Sequence, residues 1–414
     1  MRFSTRGPAA RMARDHPATT FEIFFDLVFV FALTRIIAFM GQPPSPQSMA
    51  RGLLLLVLLW FSWSSYAWLG NQTPADVGVV RAGVLAAMAA LFVAALVMPQ
   101  AWSSGPGLDG PLLLALAYVL LRVVHLALYY WSAAATPGLR ARIRIFAAVS
   151  AVGWLPLVLG ALLGGTAESV LWVLAFAVEV GGQRLAHLLR GGWPLRNPHH
   201  FAERHGLVLI IALGESLVAA GVGAGSAVTR PPVLGAALVG LSVTVCLWWL
   251  YFDHVAPAAE RSLDLSTGDR RDRIASDAYS LSHLLLVIGV IYVALGVEQV
   301  LMLVAGGHGA PPAAGSMSWP GVTALYGGTA LFLVGRLLFR RFSAHQVRRA
   351  QVALVGVILA LLPLGRALPA VAALGLLAVV LLVAAVQERR RQRARPGSGD
   401  AEPATDSLER PNDR

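Results

Sequence analysis

Apolar runs of about 18 to 22 residues recur from one end of this chain to the other, the length an α-helix needs to cross a hydrocarbon layer ~30 Å thick. Of the 414 residues, 57% are apolar and 13% are charged, where soluble domains carry roughly 25% charged residues. An ordinary soluble globule is thereby excluded. So is disorder over most of the length, because disordered chains are poor in apolar residues and rich in charge. The sequence predicts an all-α fold, a polytopic membrane helical bundle with about 12 transmembrane helices.

The predicted spans are 21–40, 52–69, 81–98, 111–131, 143–163, 168–189, 205–224, 232–252, 277–303, 319–339, 351–365 and 367–386. The eleventh is the shortest, and Pro363, Gly365 and Pro369 predict a tight hairpin into the twelfth. With the N-terminus placed in the cytoplasm, the inward segments carry 24 Arg, while the outward loops hold only Arg51, Arg230 and Arg366. This follows the positive-inside rule. Both termini are therefore expected to be cytoplasmic, and the net charge of +11 reflects Arg side chains that meet anionic lipid headgroups. No basic folded surface suited to nucleic acid is visible. The first span is too long for the apolar core of a cleavable signal peptide and carries Glu22, Asp26 and Arg35, so it is expected to stay as a helix. Residues 387–414 turn to RRRQRAR and then to a polar stretch, a composition that predicts a disordered tail.

The single cysteine, Cys246, excludes an intrachain disulfide and Cys-based metal clusters. All 33 basic residues are Arg, so a Schiff-base lysine mechanism is excluded as well. No Walker-type phosphate loop or G-x-S-x-G elbow occurs, and the glycine-rich GVGAG at 221–225 ends a membrane helix rather than following a strand. No cofactor is expected.

Spans 1 and 7 align without a gap at an offset of 180 residues, FEIFFDLVFVFALTRI against FAERHGLVLIIALGES. Spans 2 and 8 both end in an aromatic stretch, and spans 4 and 10 each embed one Arg, Arg122 and Arg336, in a Leu-rich run. The pattern predicts an N-terminal segment 1–20 and two parallel six-helix halves, 21–200 and 201–386, with any site near their interface.

Ionisable groups inside a span cost roughly 2.5–3.5 kcal/mol each on insertion scales, and they usually face the bundle interior or water. Glu22 and Asp26 are four residues apart, share one helix face, and are expected to face span 7 or another polar helix. Arg35 lies half a turn out of phase with them. Span 6 carries Glu179, Gln183 and His187 on one stripe. Span 7 opens with NPHHFAERHG, where Asn197 suits an N-cap and Pro198 the first helical position. His199 and Glu203 are four apart, with His200 and His205 close by. A metal could use such a set, although a basic and acidic collar is commoner at a helix start, and the metal question stays open. Glu215 and Ser216 lie near mid-membrane. Arg122, central in span 4 with His125 beside it, is the expected partner of Glu215 in a buried network that His125, Glu179 or His283 would join. Span 9 adds Asp277, His283 and Glu298.

Four stretches, FEIFFDLVFVFALTRI (21–36), NPHHFAERHGLVLIIALGES (197–216), WWLYFDH (248–254) and SHLLLVIGVIYVALGVE (282–298), are similar to the bacterial low temperature requirement A protein (LtrA) family. The resemblance runs in order over roughly residues 18–385. It implies a multi-pass protein of the bacterial inner membrane, linked by the family's name to growth in the cold, whose biochemical activity is not established. The motif residues it carries over are Glu22, Phe25, Asp26, His200, Glu203, Arg204, Gly206, Gly214, Glu215, Ser216, Asp253 and His283. One departure is Gly70-Asn71-Gln72, where relatives often place acidic residues.

Three functions compete. The leading one is a transporter or channel for protons or another small ion, with Glu215, Glu179, Arg122 and His283 around a polar core. Its rival is an intramembrane lipid-modifying enzyme that uses the His199, His200, Glu203 and His205 cluster with a metal. The third is a non-catalytic envelope protein for cold adaptation. An aqueous pocket reaching Glu215 would favour the first, and convergence of three His or Glu side chains the second.

Overall fold

Each predicted apolar run is a helix in the computed structural model, which describes residues 17–41, 43–103, 107–190, 192–306, 315–344 and 347–393. The membrane helices are α1 Thr20–Gly41, α2 Pro46–Gln72, α3 Gly78–Gln100, α4 Gly110–Ser132, α5 Pro137–Leu163 and α6 Gly165–Arg190. They continue with α7 Pro198–Ala224, α8 Pro231–Phe252, α9 Gly268–Val304, α10 Trp319–Ala344, α11 Arg349–Ala367 and α12 Ala370–Arg393. All twelve are long and apolar enough to cross a membrane, and the described residues form no strand. The chain is a multi-pass membrane protein. A short amphipathic helix, Val255–Leu265, connects α8 to α9.

Local chemistry sets the helix ends. Ser45 and Ser48 form a capping box ahead of α2, with Pro46 as the first helical residue. Asn197 caps α7 by accepting the His200 N–H at 3.1 Å, again with proline next in line. The expected tight turn into the twelfth span is made at Leu368 and Pro369, between α11 and α12, and a further break at Leu361 divides α11 into Arg349–Ala360 and Leu362–Ala367, where Pro363 cannot donate the N–H that would continue the helix. At the other end, α12 runs through 387–393, which the composition had assigned to a disordered tail. Arginine is a good helix former, and Glu388 is anchored there by Arg336 and Arg340 at 2.5 and 3.2 Å. The remainder of the tail, and residues 1–16, lie outside the described residues.

The centre of the bundle is α9, buried along almost all of Ser282–Val304. It packs on α7, α10 and α1. Its contact with α10 is backbone to backbone: a Cβ at Gly289 would lie 2.6 Å from Phe332 N, and one at Gly296 2.7 Å from Leu325 Cα. Membrane helices lack a hydrophobic drive to associate, so small residues that permit such close approach do the work. Both helices of this pair contain a π-helical stretch, Ile274–Leu281 and Thr323–Gly327. At the periphery, α5 and α6 pair with each other and leave Leu155, Leu159, Leu162, Val170 and Val173 exposed, as a lipid-facing surface should.

Candidate functional site

Glu22 and Asp26 lie four residues apart on α1, and the face they share is turned to α7. Arg204 bridges them: one terminal nitrogen donates to Glu22 Oε1 at 2.8 Å and the other to Asp26 Oδ1 at 2.6 Å. One turn earlier on α7, His200 Nε2 lies 3.1 Å from both Glu22 carboxylate oxygens. From α2, the Trp63 indole donates to Asp26 Oδ1 at 2.8 Å, and its ring stands 5.8 Å from the Arg204 guanidinium carbon. Glu22 also accepts from the Thr19 backbone N–H at 3.0 Å. Glu22, Asp26, His200 and Arg204 are all buried. Two carboxylates thus share one guanidinium, and Asp26 Oδ2 has no hydrogen-bond partner among the described residues.

Helix α2 closes this site from its C-terminal end. A Cβ at Gly70 would stand 2.5 Å from Glu22 Oε1, so a larger residue there displaces the carboxylate from its place against Arg204 and His200. The next residue, Asn71, donates to Asn197 O at 2.6 Å and accepts from Arg196 N at 2.8 Å, and Gln72 donates to Pro194 O at 2.7 Å. Asn71 and Gln72 therefore fasten α2 to the segment that leads into α7.

The expected pairing of Glu215 with Arg122 is not made. Arg122 Nε lies 2.5 Å from Glu179 Oε1 on α6, and another of its nitrogens donates to Ser65 Oγ at 2.6 Å. Tyr118, one turn before Arg122, donates to the same Glu179 carboxylate. His125 lies in this region as a ring packed against Tyr66 and Tyr129. Charge is balanced here, with one guanidinium to one carboxylate. Glu215 belongs to a different helix pair and accepts from Thr34 Oγ1 of α1 at 2.8 Å, while the hydroxyl of buried Ser216 has no partner among the described residues.

His283 bonds Tyr251 Oη at 2.6 Å, and its ring stands 5.1 Å from that of His205 in an aromatic cluster with Trp60, Trp63 and Tyr279. A cavity of about 70 Å³ lies behind this cluster, lined by Trp60, Trp68, Trp193, Gln183, Ser276 and Ser280 among others; Glu215 does not line it.

The residues weighed as a metal set are dispersed. His199 pairs with Glu260 at 2.6 Å, His200 with Glu22, Glu203 accepts from Ala18 N at 2.7 Å, and His205 Nδ1 bonds Phe201 O at 2.8 Å. Among the described residues no group of three or more His, Cys, Asp or Glu could hold a metal ion. Asp253 accepts from Trp249 of its own helix at 2.7 Å. The His187 side chain lies outside the described residues. Sequence reasoning missed Thr34, Trp63, Ser65, Gly70 and Tyr118. Tyr118 carried a signal, since it lies four residues before Arg122 and therefore on the same helix face.

The sequence matches the profile of the bacterial low temperature requirement A protein (LtrA) over residues 17–386. It is also similar to a relative from Rhizobium meliloti (strain 1021), uncharacterized protein RA0937, with 29% identity over 382 residues, 89% of this chain and 88% of that protein. No solved structure matches it.

Proposed function

The chain belongs to the bacterial LtrA family, and we propose that it moves protons or another small cation along the seam where α1, α7 and α9 meet. The observation that carries this reading is that Glu22 and Asp26 share the one guanidinium of Arg204, together with Asp26 Oδ2, which has no hydrogen-bond partner among the described residues. A buried net charge is costly. Two carboxylates share one guanidinium, so one exchangeable positive charge, a proton on the imidazole beside Glu22 or a small cation, would balance the site.

Two more buried acids ride on the same helices. Glu215 faces Thr34, and Glu298 on α9 reaches the end of α1 beside Gly41. At 1.5 Å per residue, Glu215 lies about 16 Å beyond Arg204 along α7, and Glu298 about 22 Å beyond His283 along α9. Acids therefore recur through most of a layer ~30 Å thick. Between Asp26 and Glu215 the helices present buried Phe29, Leu33, Val208, Leu209 and Ala212, so passage requires that stretch to open or to wet.

Arg122–Glu179 joins α4 to α6, and Arg336–Glu388 joins α10 to α12. The fourth and sixth helices of each set of six are thus tied in the same way, which supports two parallel halves with the α1–α7 seam between them. Both termini are read as cytoplasmic from the Arg distribution, and a part in cold adaptation belongs to the same reading through the family's name. Dispersal of the His and Glu cluster is the reason transport is preferred here to lipid modification.

The test is flux in liposomes that contain the purified protein and a trapped pH-sensitive dye. An imposed pH gradient or potential should drive proton or cation entry, and Asp26→Asn and Glu215→Gln should each slow it about tenfold while the proteins remain folded. Flux no faster than in empty liposomes under both driving forces would remove the proposal.

A further inference from the structure

A second charged feature lies at the end of the bundle where α9 begins and α10 ends. The two helices run antiparallel in backbone contact, so the first turns of α9 stand beside the last turn of α10. Arg270, Arg273, Ile274, Asp277, Arg341 and Phe342 line a cleft there of about 270 Å³. Three guanidinium groups face one carboxylate. All three Arg are exposed, whereas Ile274 is buried and Phe342 half-buried.

The surroundings hold this cleft in shape. Arg271 turns away from it and donates to Ser266 O at 2.6 Å and Asp264 O at 3.2 Å, which locks the turn ahead of α9. The connecting helix is fastened to the end of α10 by Ser262 Oγ, which donates to Ser343 O at 2.6 Å. Arg270 and Arg273, by contrast, make no ion pair or side-chain hydrogen bond among the described residues.

The geometry points to a binding pocket for the phosphate group of an anionic lipid, held by Arg270, Arg273 and Arg341. The planar fork of arginine matches phosphate oxygens two at a time. The charge count leaves a net positive cleft even with Asp277 ionised. Its position at the ends of two membrane helices puts the rim at headgroup depth, and Ile274 and Phe342 supply an apolar floor that a lipid would use and free phosphate would not. Basic pockets between membrane helices are a known way to hold such headgroups. The inference stands independently of ion movement along the seam.

Binding is measured on the purified full-length chain in neutral detergent, by native mass spectrometry with phosphatidylglycerol and with phosphatidylcholine of the same acyl chains. Phosphatidylglycerol is expected to bind about tenfold tighter. Arg270→Gln with Arg273→Gln should reduce it to the phosphatidylcholine level, whereas Arg270→Lys with Arg273→Lys should keep part of the preference. Arg390→Gln with Arg391→Gln removes the same charge from exposed positions at the end of α12, and it should leave the preference within about twofold, since binding there would only be diffuse attraction. Size-exclusion profiles establish that each variant is folded, and the Lys pair keeps the test open should the Gln pair fail. Equal losses from the two Gln pairs, or no preference in the unmodified protein, would overturn the pocket. Displacement of phosphatidylglycerol by millimolar inorganic phosphate would overturn the lipid assignment in favour of a soluble phosphate.

Discussion

Replacing Arg204 by Gln tests the charge accounting at the α1–α7 seam most directly. Arg204 is 2% exposed and makes charge-assisted bonds of 2.8 Å to Glu22 and 2.6 Å to Asp26. Breaking a buried pair costs about 3–5 kcal/mol because the surviving charge is left uncompensated. Here one guanidinium answers two acids, so the loss for Arg204→Gln should lie near 5 kcal/mol, a large part of the roughly 5–15 kcal/mol that keeps a typical domain folded. Asp26→Asn in the same background removes one stranded charge and still offers an oxygen to the Trp63 indole, so it should restore about 2 kcal/mol. Asp26→Asn alone leaves a balanced Glu22–Arg204 pair and should cost about 1 kcal/mol. Thermal unfolding in detergent, followed by tryptophan fluorescence, should rank the proteins as unmodified, Asp26→Asn, the double variant, then Arg204→Gln. The reasoning fails if the double variant is no more stable than Arg204→Gln, or if Arg204→Gln costs less than about 1 kcal/mol.

Three further outcomes are expected in the same unfolding assay. Tyr118→Phe removes a donor from buried Glu179 but keeps the Arg122 pair, and should cost about 1–2 kcal/mol. Gly70→Ala places a Cβ 2.5 Å from Glu22 Oε1, displaces the carboxylate from Arg204, and should cost about 1–3 kcal/mol; a loss under half of that would mean the carboxylate moves freely. Gly296→Leu drives a side chain into the α10 backbone, 2.7 Å from Leu325 Cα, and should abolish the folded monodisperse protein, whereas Gly375→Ala meets nothing within 4 Å and should be neutral.

The helices were legible because membrane crossing fixes their length and apolar content, and Asn197-Pro198 and Pro369 marked ends that the structure keeps. The face shared by Glu22 and Asp26 was legible from their spacing alone. The partner of Arg122 was not. Position within a span gives depth along the membrane normal and says nothing of which helices are neighbours around it, so two acids at similar depth, Glu179 and Glu215, were indistinguishable as partners. Packing decided between them: α6 meets the α2–α4 side of the bundle, while α7 lies against α1 and α9. Trp63 and Gly70 were hidden for another reason. An indole N–H within an aromatic stretch, or a missing Cβ, acquires its role only from what stands opposite, and here that is Asp26 and Glu22.

The sign of the seam's charge leads to one more prediction. The Arg122 site is neutral as a pair, and Arg336 with Arg340 is answered by Glu388 at the rim, so neither offers an uncompensated buried acid. Along α1, α7 and α9 the balance differs: Arg204 answers two carboxylates, Glu215 has only a hydroxyl, and Glu298 has no ion-pair partner among the described residues. Arg35, the one base on α1, stands about 100° round the helix from Thr34, which is turned to Glu215. A row of acids in a low-dielectric seam lowers the energy of a passing cation and raises that of an anion. Any flux through the reconstituted protein should therefore be cation-selective. Exchanging chloride for gluconate at constant pH gradient should leave the rate unchanged, and a current whose reversal potential follows the chloride gradient would refute the assignment of these acids to a conducting path.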